Sequence, residues 1–222
     1  MTVGALARRG FSDSPRALRL MAEAGLKTRT DIDVIDALAA AADPDRALLG
    51  LLRVLEAEPE PAEVLTALRE DSGFRSRLCR VLGTSTALAD HLVRRPGDWR
   101  ELRGADASRT PEAEELRRGF LHTVGADPDS PAPVAALFEA TATDSPTHAL
   151  RVAYRRRVLR LVGRDLTGAA TVEEVSAELA DLAAALLDAA LAVARAEHPE
   201  DAALCRLAVI GLGKCGGREL NY

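Results

Sequence analysis

A chain of 222 residues is long enough for one large domain, or for one domain and the start of another. Its 47% apolar residues with only 3% aromatics point to a core of Ala, Leu and Val, and 28% evenly interleaved charge excludes wholesale disorder. A net charge of −5 gives no basis for a nucleic-acid partner, and no apolar run approaches the length needed to cross a bilayer.

The first helix signal is Ser14-Pro15, a cap before a proline, closed by Gly25. Asp43-Pro44 repeats the device and opens a helix with Leu48, Leu51, Leu52 and Leu55 on one side. Pro59 and Pro61 break the chain. Two short helices are predicted over residues 74–82 and 85–94, with Gly83 between them and Pro96 after the second. Residues 98–102 add a turn or two. Loops rich in Gly and Pro follow over 104–111 and 125–133, flanking a helix near 112–123 with Leu116, Phe120 and Val124 at helical spacing. Pro146 starts a longer helix to about Gly163. Thr171-Val172-Glu173-Glu174 is a capping box, and the longest helix runs from it to about Glu197, ended by His198-Pro199. No internal repeat of fixed period is present.

The period changes only at Arg206. Leu207-Ala208-Val209-Ile210-Gly211-Leu212 is an apolar run bounded by a turn glycine, which predicts a buried strand. A single strand needs neighbours for its backbone donors and acceptors, and no second strand is evident, so its sheet partners are expected outside this chain.

Few residues carry chemistry. Cys79, Cys205 and Cys215 show no CxxC spacing, and with no secretory signal evident a disulfide framework is not expected. His91, His122, His148 and His198 stand singly, which argues against zinc. A soluble protein of a reducing, cytoplasmic compartment is expected, without a membrane or nucleic-acid partner. Lysine occurs only at Lys27 and Lys214, which reads as GC-rich coding with arginine in its place. Arg151, Arg155, Arg156, Arg157, Arg160 and Arg164 share one helix whose apolar side is 153, 154, 158, 161 and 162. A solvated face is expected there, ahead of an anion or partner surface, with Asp165 and Glu139 as possible ion-pair partners. His91 reads as a packing or capping residue, Trp99 as an anchor of the turn that follows it, and Cys215 as a small filler.

The glycine turn is the one candidate site. Closely spaced glycines let backbone approach a phosphate, and Lys214 adds a point charge. Gly211, Gly213 and Gly216 also satisfy the spacing of a dinucleotide fingerprint after a strand. On spacing alone, a structural turn and a phosphate turn stand level.

The wording around that turn goes further. Leu207-Ala208-Val209-Ile210-Gly211-Leu212-Gly213-Lys214-Cys215-Gly216-Gly217-Arg218-Glu219-Leu220-Asn221-Tyr222 resembles the active-site entry of glutamine synthetase adenylyltransferase, the adenylyl-removing enzyme. Residues 81–92, Arg95-Pro96-Gly97-Asp98-Trp99 and residues 150–166 resemble its N-terminal helical region, so the likeness covers about 74–222, in an actinobacterial style. The resemblance implies a mainly α chain, helical over 1–205, leading at 206–222 into the first strand and Gly-rich turn of a truncated, polymerase-β-like α+β nucleotidyltransferase domain. It implies a bifunctional enzyme in which one copy joins AMP from ATP to a tyrosine of glutamine synthetase and the other removes it by phosphorolysis. The Glu219-Leu220-Asn221-Tyr222 wording resembles the removing copy. It further implies Gly211, Gly213, Lys214, Gly216, Gly217, Glu219 and Asn221 at the nucleotide and phosphate, with ATP or ADP and phosphate as substrates. Mg2+ is implied on aspartates expected beyond Tyr222, so the stretch alone is expected to be inactive. Glutamine synthetase and a PII-type signal protein are the implied partners. A non-catalytic helical interaction module and a Rossmann-type dinucleotide binder remain the alternatives.

Overall fold

The computed structural model describes residues 1–136, 145–202 and 207–222; its described residues are mainly helical and contain no strand. They divide into two compact units, Met1–Ser108 with Val162–Ala169, and Arg109–Leu161 with Ala170–Tyr222.

The first unit holds α1 (Val3–Ala7), α2 (Ser14–Glu23), α3 (Ile32–Ala39), α4 (Pro44–Ala57), α5 (Pro61–Glu70), α6 (Ser72–Thr84), α7 (Thr86–Arg94) and two 3-10 turns, Asp98–Leu102 and Asp106–Ser108. Its centre is the packing of α4 on α6. Asp43 starts α4 by accepting the Arg46 amide at 2.9 Å, and Pro44 takes the first turn, where a missing N–H costs nothing. Leu48, Leu51, Leu52 and Leu55 are all buried, as their spacing predicts. Glycines allow the close approach. A Cβ on Gly50 would stand 3.3 Å from the Leu82 side chain, and one on Gly83 would stand 2.6 Å from the Ala41 Cβ.

Gly83 is therefore a packing residue. The sequence places it between two helices, whereas α6 continues through it to Thr84. The break falls at Ser85, whose extended backbone and Oγ cap α7 by accepting the Leu88 amide at 3.3 Å. The cap of α2 also moves by one residue: Asp13 accepts the Arg16 amide at 3.0 Å, while Ser14 lies inside the helix and donates to the Phe11 carbonyl. Gly25 closes that segment at φ +69°, a conformation that favours glycine.

Trp99 anchors its turn, as expected. It is 1% exposed, its Nε1 donates to Glu58 at 3.0 Å, Phe74 lies 5.4 Å away centroid to centroid, and the Arg100 guanidinium sits 4.4 Å over the ring. His91 packs in the same unit with its Nε2 2.9 Å from the Asp98 carboxylate, a pairing that spacing did not reveal. Arg77 is buried and donates to the Leu102 carbonyl at 2.8 Å and to Ser108 at 3.0 Å, which ties both 3-10 turns to α6. Burial pulls its pKa below the usual arginine value.

The second unit is organised by α8 (Ala113–Thr123), α9 (Pro146–Leu166) and α10 (Val172–Glu197), followed by α11 (Pro199–Ala202) and the one-turn α12 (Gly213–Gly216); the last turn of α9 counts with the first unit. The capping box is present in full: Thr171 Oγ1 accepts the Glu174 amide at 3.2 Å, and Glu174 accepts the Thr171 amide at 2.7 Å. Leu116, Phe120 and Val124 pack with Val175, Leu179, Leu182, Ala185 and Ala189 in one core. Alanines on α10 let α8 lie close, and Arg117 straps the pair by donating to Asp188 at 3.0 Å and to the Pro128 carbonyl at 3.1 Å.

Two expectations are corrected here. The arginines of α9 do not form a uniformly solvated face, because Arg164 is 1% exposed and engaged in polar contact, while Leu159 joins the buried side. Arg151 and Arg155 are exposed as expected. Glu139 lies outside the described residues. The second correction concerns Leu207-Ala208-Val209-Ile210: it forms no strand and is not buried, with Leu207 56%, Val209 57% and Ile210 78% exposed. The physical reason is the one that limits any lone strand, since no second strand among the described residues offers it a ladder.

Candidate functional site

The apolar run delivers the chain into α12, a single turn from Gly213 to Gly216 with Leu212 at its cap. Gly213 enters at φ +59°, in the left-handed region. A Cβ on Gly216 would overlap the carbonyl oxygen of Gly211, so that position accepts only glycine without a shift of backbone. Gly211 itself has ordinary room. Leu212 makes no side-chain hydrogen bond to the turn, so no capping side chain covers its first amides. Backbone bonds then close the turn: the Gly217 amide donates to the Gly213 carbonyl at 2.8 Å, and the Glu219 amide donates to the Lys214 carbonyl at 2.7 Å.

Side chains fold back over this frame. Lys214 Nζ donates to Asn221 Oδ1 at 3.3 Å, which brings together two of the residues singled out from the sequence. Leu220 packs against the core of α8 and α10. Arg218, the residue after the double glycine, has φ +57°, and it is the only described non-glycine with positive φ. Its guanidinium forms a two-pronged pair with Asp181 of α10, Nη2 to Oδ2 at 2.8 Å. Neither Arg218 nor Asp181 was singled out as a site residue. The available signal was Asp181 itself, a carboxylate that interrupts an Ala- and Leu-rich helix and is only 15% exposed here.

Glycines, one lysine, one amide side chain and backbone N–H groups make an arrangement suited to an anion of phosphate size. Cys215 is half-buried and free, with no histidine brought to it in any described contact. The turn does not continue into an apolar-spaced helix, as a dinucleotide fingerprint requires, because α12 ends after four residues and buries none of them. Among the described residues no three His, Cys, Asp or Glu side chains converge to hold a metal ion. No helix among the described residues is long and apolar enough to cross a membrane. In the first unit an open groove of about 440 Å³ is lined by Ser12, Asp13, Arg16, Asp43 and Asp45, but its carboxylates are used in capping backbone amides.

The sequence model of a family described as glutamate-ammonia ligase adenylyltransferase matches residues 75–222, the glycine turn included. Among similar proteins, the bifunctional glutamine synthetase adenylyltransferase/adenylyl-removing enzyme of Streptomyces coelicolor is 49% identical over 98% of this chain and 20% of that protein. The enzyme of the same description from Streptomyces avermitilis is 45% identical over 100% of the chain and 20% of the relative. That of Mycobacterium bovis is 40% identical over 97% and 21%. The chain thus spans about one-fifth of the length of the curated relatives it matches. The alignment to the Streptomyces avermitilis enzyme also takes in the helices before residue 74. No solved structure matches the chain.

Proposed function

The chain belongs to the glutamate-ammonia ligase adenylyltransferase family, and from that premise we propose that it is part of an enzyme that joins AMP to a tyrosine of glutamine synthetase and removes it again. Its own share is the helical region and the entry to the removing site, with residues 206–222 opening the nucleotidyltransferase domain. The observation that carries this reading is the glycine turn, fixed at Gly216, closed by backbone bonds and bearing Lys214 beside Asn221.

In phosphorolysis, an oxygen of inorganic phosphate attacks the phosphorus of the AMP group, the bond to the tyrosine oxygen breaks, and the phenolate takes a proton; the products are ADP and unmodified glutamine synthetase. Reactions of this kind depend on positioning and on neutralising oxygen charge. The turn's uncommitted backbone amides receive phosphate oxygens, the Gly217 amide being tied to the Gly213 carbonyl; Lys214 adds positive charge, and Asn221 holds the lysine in place. Glu219 and Asn221 set the direction in which the chain leaves the turn. A divalent metal would supply further charge neutralisation. Among the described residues no three His, Cys, Asp or Glu side chains converge on such an ion, and no step assigned to this stretch passes through it. Glutamine synthetase is the macromolecular partner, and a PII-type protein is its proposed regulator.

The test is chemical. The full-length protein carrying this chain should release the AMP group from modified glutamine synthetase as ADP, and only with phosphate and a divalent metal present. No release with both present refutes the enzymatic reading and leaves a helical interaction module in its place.

A further inference from the structure

We propose that Asp181 is a positioning residue for the nucleotide site, acting through Arg218 to hold the glycine turn against α10; this inference rests on the reading of the turn given above. Arg218 adopts a left-handed backbone conformation, φ +57°, which L side chains other than Asn and Asp rarely enter and which costs free energy. The chain therefore needs a compensating contact at this residue, and the structure supplies one. Both guanidinium prongs of Arg218 meet both carboxylate oxygens of Asp181, a fork-to-fork pairing that fixes orientation as well as distance.

The anchor is rigid. Asp181 lies mid-helix in α10, adjacent to the buried Ala180 and Leu182, and its carboxylate is 15% exposed. The Arg218 guanidinium stays half exposed, so the pair acts by fixing direction through its two-pronged alignment and adds little to global stability. On either side of Arg218, the Gly217 amide is tied back to Gly213 and the Glu219 amide to Lys214, and Leu220 then reaches the core. Rotating Arg218 out of its left-handed state breaks this sequence of ties and redirects the amides of Gly216 and Gly217. Lys214 moves with them, since its carbonyl accepts from Glu219 and its ammonium donates to Asn221. Asp181 is not itself one of the phosphate-facing groups, and its hydrogen bonds to the segment after the turn are made to Arg218.

The test uses the full-length protein, with initial rates of AMP removal measured against inorganic phosphate. Asp181→Asn and Arg218→Gln are each expected to lower kcat/KM for phosphate by about 10- to 100-fold, the scale of a misplaced reacting group. The exchanged pair Asp181→Arg with Arg218→Asp is expected to recover at least about tenfold over either single change, by the coupling that contact pairs show. Thermal unfolding should move little, because the core under the turn is untouched. As a readout independent of the reversed pair folding correctly, amide hydrogen exchange at Glu219 should speed up in Asp181→Asn. Lys214→Ala separates this proposal from its premise. If Lys214→Ala lowers kcat/KM and Asp181→Asn does not, the turn is the site and the positioning role is wrong. If Lys214→Ala changes nothing, the reading of the turn fails and the proposal falls with it. Unchanged exchange at Glu219 in Asp181→Asn overturns the clamp directly.

Discussion

Replacing Gly83 with alanine adds a methyl group where α6 lies against the connection into α4. Alanine in a helix interior is favoured over glycine by about 1 kcal/mol, so propensity alone predicts a more stable protein. The structure predicts the reverse. The new Cβ would stand 2.6 Å from the Ala41 Cβ, 3.0 Å from the Asp43 carbonyl oxygen and 3.3 Å from the Ala47 Cβ. Ordinary carbon contacts are about 3.5–4.0 Å, so the two segments must separate by about 1 Å. None of the three obstacles can rotate away, since each is fixed directly to backbone. Overpacking of this kind costs about 1–3 kcal/mol, and the rigid obstacles place it at the upper end, leaving a net loss of about 2 kcal/mol. Gly163→Ala is the internal control. It gains the same propensity, but its nearest obstacle is the Leu102 Cδ2 at 2.9 Å, the end of a side chain that can turn, so the two effects cancel to within about 1 kcal/mol. Urea unfolding followed by circular dichroism reads both. With a slope of about 2 kcal/mol per molar, Gly83→Ala should lower the midpoint by about 1 M and Gly163→Ala should barely move it. A Gly83→Ala midpoint at or above wild type would refute the close approach of α6 to residues 41–47.

Asp31, buried and paired with Arg69 at 2.8 Å, has its carboxyl held below the usual 3.8 by the Arg69 hydrogen bond, against the opposing effect of burial. A depressed carboxyl contributes stability that is complete above its unfolded value and is lost as pH falls through its folded value. Asp31→Asn should therefore flatten the stability profile below about pH 4, measured by urea midpoint against pH; an unaltered acid limb counts against the pair. Cys79 is fully buried, and burial pushes its thiol pKa up to about 12. Peptide mapping after iodoacetamide treatment at pH 8 should find Cys79 unmodified and the half-buried Cys215 modified. Early labelling of Cys79 would show that α6 opens.

The longer helices were legible because their ends are written in local chemistry, whereas α1, α3 and α5 were not read from the sequence. Asp43-Pro44 and the Thr171 capping box each act within one turn, so sequence spacing captures them. Trp99 was legible as an anchor from rarity alone, yet its partner Glu58, 41 residues away, was not. Distance along the chain explains most of what was missed. Gly83 reads locally as a breaker, and only the approach of Ala41 reveals it as a packing residue. Arg164 belongs by period to a basic face, and only tertiary packing shows it to be buried. The strand over 207–210 failed for a different reason, since pairing partners decide a strand and its own sequence does not. In the site, the glycines and Lys214 stood out, whereas the Asp181 and Arg218 clamp joins residues 37 apart and leaves only the faint trace of a carboxylate in an alanine-rich helix.

The central claim is that the glycine turn serves the removal of AMP from glutamine synthetase. Gly216→Ala tests it most directly, because the added Cβ would overlap the Gly211 carbonyl and force the turn open without altering any charge. The measurement is the initial rate of phosphate-dependent ADP formation from modified glutamine synthetase by the full-length protein, beside its rate of AMP attachment from ATP. The account predicts that removal falls by about 100-fold or more while attachment persists. Removal at the wild-type rate would contradict it.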